Sequence, residues 1–244
     1  MTTDFAIVTP LANESASFTE FAQSVARELD QIGSGTAYLV VDNASTDNTR
    51  QMCEEQSNRD PRFKTIWAPN NRNVVDAYLA GYRAALANEH AFIIEMDAGL
   101  SHDPKTIPMF LQALQEGNQC AFGSRFTRGG SIGRSTRYRT FLSKGGTHLS
   151  NWLLGMRYSD ATSGFLGFDA QTAGQLCDFG LKSKAHFYQT EIRYLLRNAR
   201  HVEVPIHYQA PSPRVTGKAI RNSISVLLQY FVMRLTGNAA GIDK

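Results

Sequence analysis

Ala37-Tyr38-Leu39-Val40-Val41-Asp42-Asn43-Ala44-Ser45-Thr46-Asp47 is five consecutive apolar residues stopped by a carboxylate, a short turn and the start of a helix. An apolar run without alternation is the pattern of a strand covered on both faces, as in a parallel sheet. Ser45 is a residue type that opens helices, so helical spacing is predicted over 46–57. The same unit recurs on either side. Phe5–Thr9 precedes a helical pattern over Ser17–Ile32, and Phe63–Ala68 precedes one over Val74–Asn88. Ala91–Met96 precedes Pro104–Glu116, with Asp103 as its start signal, and Cys120–Gly123 is a further strand. Strands alternating with helices predict a mostly parallel central sheet covered on both faces, a three-layer α/β/α arrangement. Such sheets bind ligands at the carboxyl ends of their strands. Those ends are Pro10, Asp42, Pro69, Asp97 and Ser124-Arg125. Two carboxylates and an arginine there form a candidate polar site; otherwise Asp42 and Asp97 only close turns and cap helices.

The second half is less regular. Arg134–Leu154 reads as a long helix, basic early and apolar at its end, and Phe187–Arg197 as another between strands Gly164–Phe168 and Val202–Tyr208. Pro211 and Pro213 mark a loop containing Arg214, Gly217 and Lys218. A last helix, Ala219–Leu235, places Ile220, Ile224, Leu227, Phe231 and Leu235 on one stripe flanked by Arg221 and Arg234. With no repeat or linker, residues 1–236 are expected to form one domain, with an amphipathic helix over 218–236 and a tail over 237–244.

Composition narrows the class. The 244 residues are 42% hydrophobic and 19% charged, which suits a folded α/β domain and argues against disorder. Net charge is only +3, yet Ser124 to Ser159 contains no acid while Arg125, Arg128, Arg134, Arg137, Arg139, Lys144 and Arg157 are basic. That stretch is either a solvated face or a seat for an anionic partner. Nucleic acid is not expected, because no binding module accompanies it. Cys53, Cys120 and Cys177 make no C-x-x-C and suit the reduced thiols of a cytosolic compartment. The sequence has no signal-peptide pattern and no apolar run of about 18–20 residues, so membrane contact is expected to be peripheral, at the cytosolic face. The last helix suits a bilayer surface, packing on the domain, or a membrane-anchored partner.

Taken in order, the strand ends resemble family 2 glycosyltransferases. Pro10-Leu11-Ala12-Asn13-Glu14 is similar to that family's Pro-x-x-Asn-Glu opening, and Val41-Asp42-Asn43-Ala44-Ser45-Thr46-Asp47 to its Val-Asp-Asp-Gly-Ser-x-Asp segment. Glu95-Met96-Asp97-Ala98-Gly99-Leu100-Ser101-His102 falls at its metal-binding Asp-x-Asp. Gly123-Ser124-Arg125-Phe126, Asp160-Ala161-Thr162-Ser163-Gly164-Phe165, the Glu191 helix and Val202-Glu203-Val204-Pro205-Ile206 resemble dolichyl-phosphate mannose synthases. The resemblance runs from about residue 4 to residue 235. It implies a GT-A-type, Rossmann-like fold and an inverting transfer of a sugar, mannose or glucose, from a nucleotide-diphosphate donor to a polyprenyl phosphate. Pro10, Glu14 and Asp42 would hold the nucleoside, Asp97 a divalent Mg2+ or Mn2+, and Arg214 and Lys218 the diphosphate. Arg125, Arg139 and Ser143 would grip the acceptor phosphate, making Asp97, Arg125 and Arg139 the expected catalytic residues.

The chemistry agrees with those roles. A departing nucleoside diphosphate gains negative charge that a cation and basic side chains stabilise. A phosphate acceptor is already ionised at neutral pH, so forked arginines can align it without a strong base. Three departures stand out. Gly99 occupies the place of the second Asp of Asp-x-Asp, Asn43 replaces an Asp, and residues 71–77 lack expected glycines. A hard cation can manage with few carboxylates, so Asp97 could serve with help from Ser101 or His102. Glu95 shares strand parity with Asp97, facing the same side or forming a buried salt bridge. Asp76 either bonds the nucleotide or favours the first turn of its helix. Two other functions fit: a transferase acting on a glycan or small-molecule hydroxyl, with Asp160 as its candidate base, and a non-catalytic sugar-nucleotide-binding homologue, for which Gly99 argues.

Overall fold

The structure, a computed structural model, describes residues 4–133, 137–209 and 217–242, with the side chains of 137–139 outside that description. Six strands run parallel: β1 (Phe5–Leu11), β2 (Thr36–Val41), β3 (Phe63–Trp67), β4 (Phe92–Glu95), β5 (Cys120–Ser124) and β8 (His201–Pro205). β7 (Leu166–Asp169) lies antiparallel between β4 and β5, giving the order β3-β2-β1-β4-β7-β5-β8. Its register sets Leu166 opposite both Glu95 and Phe122, so β4 ends level with Phe122 and β5 runs two residues further. β6 (Ser131–Ile132) and β9 (His207–Tyr208) form a small parallel pair beside this edge.

Alternating residues of the buried strands feed two apolar layers. Phe5, Ile7, Leu39 and Ile94 pack with Phe21 and Val25 of α1 (Phe18–Ile32), Cys53 of α2 (Thr49–Arg59) and Phe110 of α4 (Ile107–Gln115). Ala6, Val8, Ile93 and Phe122 pack with α3 (Val74–Ala87), α6 (Ala170–Phe179) and α7 (Tyr188–Leu195). The result is the three-layer, mostly parallel sheet that the strand–helix alternation predicts. Gly81 lets α3 approach the sheet, since a Cβ there would lie 2.2 Å from a Val8 methyl.

Local differences from the sequence reading have physical causes. α2 starts at Thr49 rather than Thr46, because the Ser45 hydroxyl is engaged elsewhere, accepting from Asn13 N at 3.2 Å and donating to Asp47 Oδ1 at 3.2 Å. Asp103 does act as a start signal, accepting from Lys105 N at 3.1 Å ahead of a 3-10 turn that leads into α4. The strand read over Val202–Tyr208 is broken at Ile206, whose N–H bonds back to Ser124 O at 3.0 Å, and becomes β8 and β9. The strand read over Gly164–Phe168 begins only at Leu166. α6, unassigned from sequence, is opened by Asp169 accepting from Thr172 N at 2.7 Å.

α5 (Arg137–Leu154) and α8 (Gly217–Leu235) pack together beyond the sheet edge. The single stripe expected on α8 resolves into two rows. Val226, Leu227 and Tyr230 face inward, while Ile220, Ile224, Leu228, Val232 and Leu235 are exposed. Arg234 Nη1 donates to Leu153 O at 2.7 Å, fixing the end of α5. Gly155 follows with φ +70°, and a Cβ there would lie 2.6 Å from the Arg234 guanidinium, so glycine meets both demands.

Candidate functional site

The loops leaving β1 and β2 are tied together at the carboxyl edge. Asn13, at φ 58°, accepts from Thr46 N at 2.9 Å and donates to Ala44 O at 3.0 Å. Glu14 N donates to Thr49 Oγ1 at 2.8 Å, and Ser15 N to Asp47 Oδ2 at 3.1 Å. The Asn of Pro-x-x-Asn-Glu therefore positions the loop, holding Glu14 above the sheet. Pro10 stands opposite Val40, and Asp42 Oδ1 accepts from Ala44 N at 2.9 Å, bracing its own turn. Asp76 accepts from Arg72 N at 3.0 Å, so it serves the start of α3, as helix-start chemistry predicts.

Two residues beyond β4, Asp97 opens to solvent with 43% of its side chain exposed. Its Oδ1 accepts from Tyr78 Oη at 2.9 Å. Glu95 is buried, and in place of the salt bridge that was one of its two readings it accepts from hydroxyl donors: Tyr188 Oη at 3.1 Å and Tyr82 Oη. Burial pushes the Glu95 carboxyl up to about 8, against the lowering pull of those two bonds. His102 is buried, stacked on Phe165, and its Nδ1 accepts from Asp97 N at 3.1 Å. That bond places the ring proton on Nε2, 4.0 Å from Asp97 Oδ2, so Nε2 offers a donor and no lone pair. His102 is thus a brace for Asp97 and not an oxygen-like ligand.

Arg125, one residue beyond β5, is gripped by Asp160. Nε donates to Oδ2 at 2.7 Å and Nη2 to Oδ1 at 2.8 Å, while Nη2 also donates to Thr162 Oγ1 at 2.6 Å. Asp160 is fully buried. Burial alone would raise its carboxyl, but the bonds and charge of Arg125 outweigh this and hold it below the usual carboxylate range. Glu203 braces the same segment, accepting from Ser159 N at 3.0 Å and Asp160 N at 3.2 Å. The buried Arg193 ties it to β5 by donating to Ser163 O at 2.9 Å and Gly123 O at 3.2 Å.

A cavity of about 470 Å³ begins at Asp97, His102 and Arg125 and runs between α5 and α8. Its lining includes the polar Ser143 and Thr162 and the apolar Leu142, Leu149, Ile220, Ile224 and Leu227. Of the residues expected from sequence, the structure brings Asp97, Arg125 and Ser143 to this cavity and leaves Pro10, Glu14 and Asp42 on the neighbouring β1–β2 loops. Lys218 lies exposed in the first turn of α8. Arg214 and the Arg139 side chain lie outside the described residues. Tyr78, Tyr188 and Arg193 were not singled out by sequence, and Thr162 and Glu203 stood inside the quoted motifs without a role of their own. Tyr78 and Tyr82, four apart on one helical face, left a signal of a different kind.

A divalent cation would find an open carboxylate at Asp97, though among the described residues no group of three or more His, Cys, Asp or Glu side chains converges. Magnesium fits such a sparse protein set when phosphate oxygens and water complete its shell.

The sequence profile of glycosyl transferase family 2 matches residues 6–176. The chain is 27% identical over 212 residues to polyprenol monophosphomannose synthase of Mycolicibacterium smegmatis, covering 84% of this chain and 80% of that protein. It is 29% identical over 172 residues to undecaprenyl-phosphate mannosyltransferase of Micrococcus luteus, covering 70% of each. It is 30% identical over 139 residues to dolichol-phosphate mannosyltransferase of Pyrococcus furiosus, spanning 57% of this chain and 38% of that longer protein. Glucosyl-3-phosphoglycerate synthase of M. tuberculosis superposes with a TM-score of 0.68 at 14% identity over 96% of this chain and 81% of that one, a likeness of fold. That enzyme has also been solved with Mn2+ and uridine diphosphate. With the profile spanning most of its length and the strand-end residues in family order, the chain belongs to glycosyl transferase family 2 and is a GT-A-type glycosyltransferase.

Proposed function

We propose that the protein transfers one sugar, mannose being the lead and glucose the alternative, from a nucleoside-diphosphate donor to the phosphate of a polyprenyl phosphate, with inversion. The observation that carries this reading is the cavity, whose lining joins the Arg125 guanidinium to Leu142, Leu149, Ile220, Ile224 and Leu227. That lining offers one ligand both a cation and apolar side chains, as a lipid phosphate requires. Arg125 presents a guanidinium fixed by Asp160, with no partner for Nη1 among the described residues. Arg139 and Ser143 join it in gripping the phosphate, and Pro10, Glu14, Asp42, Arg214 and Lys218 hold the donor.

In this reading an acceptor phosphate oxygen attacks the anomeric carbon from the face opposite the departing diphosphate. The acceptor is already ionised, so no base is needed. Asp160 is unsuited to that task in any case, since both its oxygens accept from Arg125 and its carboxyl is held low. This favours a phosphate acceptor over a hydroxyl acceptor, which requires a free base. Asp97 would hold a divalent cation, which when bound neutralises charge developing on the leaving diphosphate.

Among the described residues no helix is long and apolar enough to cross a membrane. The exposed Phe141 (71%), Trp152 (76%), Leu228 (49%) and Val232 (55%) on α5 and α8 support peripheral seating at a bilayer surface or on a membrane-anchored partner, beside the cavity's apolar lining. The whole of 1–236 acts as one transferase unit.

The test is transfer of radiolabelled sugar from a panel of nucleotide sugars into organic-extractable lipid, with polyprenyl phosphate in detergent. Arg125→Lys keeps the charge but loses the fork; label in the lipid phase should fall by about 100-fold or more, the scale of a lost charge-stabilising donor. Nucleotide-sugar binding without lipid product from any donor, or label in a water-soluble glycan, would overturn the reading.

A further inference from the structure

Gly99 leaves a space beside Asp97, and another carboxylate borders it. A Cβ built on Gly99 lies 3.7 Å from Glu14 Oε1 and 3.8 Å from Oε2, with no other described atom beyond its chain neighbours within 4 Å. An aspartate at 99 would thus push its carboxylate into the region that Glu14 already occupies. The two donors arrive from adjacent parallel strands, Glu14 from the loop after β1 and Asp97 from the end of β4.

The Glu14 backbone is fixed, its N–H donating to Thr49 Oγ1 at 2.8 Å and its carbonyl accepting from Phe18 N at 2.9 Å. Ser17 Oγ donates to Oε2 at 2.8 Å, while Oε1 has no donor among the described residues. Neither carboxylate has an arginine or lysine partner there: Glu14 enters no ion pair, and Asp97 meets only His102 at 4.0 Å. A cation bound between them would be attracted by both carboxylates, with no protein cation competing for either.

We propose that Glu14 supplies the second carboxylate of the divalent-cation site, in the space that Gly99 leaves open, with Asp97 as the first. The assignment rests on the proposed use of a cation with a nucleoside diphosphate. It differs from a nucleoside-holding role for Glu14. A hard cation accepts oxygen ligands from any loop that brings them within reach, so a carboxylate moved from one strand end to the next preserves the donor chemistry.

The experiment is Mn2+ titration followed by electron paramagnetic resonance, with GDP and with UDP, on the full chain. Wild type binds Mn2+ with the preferred diphosphate; Glu14→Gln weakens that binding at least tenfold and leaves affinity for the corresponding free nucleoside unchanged. Adding Gly99→Asp to Glu14→Gln restores Mn2+ binding, which also shows that the first variant is folded. Wild-type Mn2+ affinity in Glu14→Gln overturns the proposal, as does an equal loss of free-nucleoside affinity, which returns Glu14 to the nucleoside. Absence of Mn2+ binding by wild type with either diphosphate refutes the cation reading itself, a result distinct from either.

Discussion

Asp160 and Arg125 are a buried pair in which each depends on the other. Asp160→Asn leaves the guanidinium, only 10% exposed, without its counter-charge, at a cost of about 3–5 kcal/mol, read from urea unfolding. The acceptor KM rises while donor affinity is retained, because the fork loses its alignment. The pH dependence follows from the depressed carboxyl: its folded value lies below the unfolded value of about 3.9, so the pair contributes stability above that value. The contribution is lost as pH falls through the depressed value, and the variant lacks this acid-side decline. At this scale Asp97 and Arg125 were legible because strand ends mark the ligand edge of a parallel sheet. The bracing roles of Tyr188 and Glu203 were not, since their bonds to Glu95 and Ser159 span 93 and 44 residues and exist only once the chain is folded. Asp160 was read as a candidate base because sequence shows a carboxylate but not the arginine that occupies it.

Among the elements, α8 is held by the buried Tyr230 hydroxyl, by the Arg234 clasp on α5 and by Asn222 Oδ1, which accepts from Ser183 Oγ and Lys184 N at 3.3 Å. Tyr230 Oη donates to Glu191 Oε1 at 2.6 Å, while Lys182 N and Ser183 N donate to the same carboxylate at 2.7 and 2.8 Å. Tyr230→Phe removes one of three donors from a buried carboxylate and costs about 1–3 kcal/mol. Limited proteolysis should then cut within α8 faster than in wild type, with the central sheet still protected. The α8 pattern was legible as an amphipathic helix, but not as one with two apolar rows. Val226, Leu227 and Tyr230 face inward only because α5 and α7 meet them there. Ser45 misled for a related reason: its hydroxyl could cap a helix or bond a distant loop, and the loop at Asn13 won.

For the whole molecule, the exposed row of α8 and Trp152 of α5 form an apolar surface next to the cavity's apolar lining. Trp152→Glu with Leu228→Glu, neither lining the cavity, should abolish co-sedimentation with anionic vesicles while a short-chain acceptor in solution is still glycosylated; undiminished sedimentation would remove the bilayer from the reading. The three-layer arrangement was legible because buried strands and helices carry different periodicities, whereas the reversed strand left no such mark. β7 runs against its neighbours yet is as apolar as they are, and direction is decided by connections rather than composition. Its position also has a metric consequence. By standing between β4 and β5, β7 holds the strands that lead to Asp97 and Arg125 two strand spacings apart, about 10 Å. Where Asp97 serves the diphosphate and Arg125 the lipid phosphate, the sheet is a ruler with a single division. In the proposed reaction that division is the room left for the transferred sugar between its two phosphate-bearing partners.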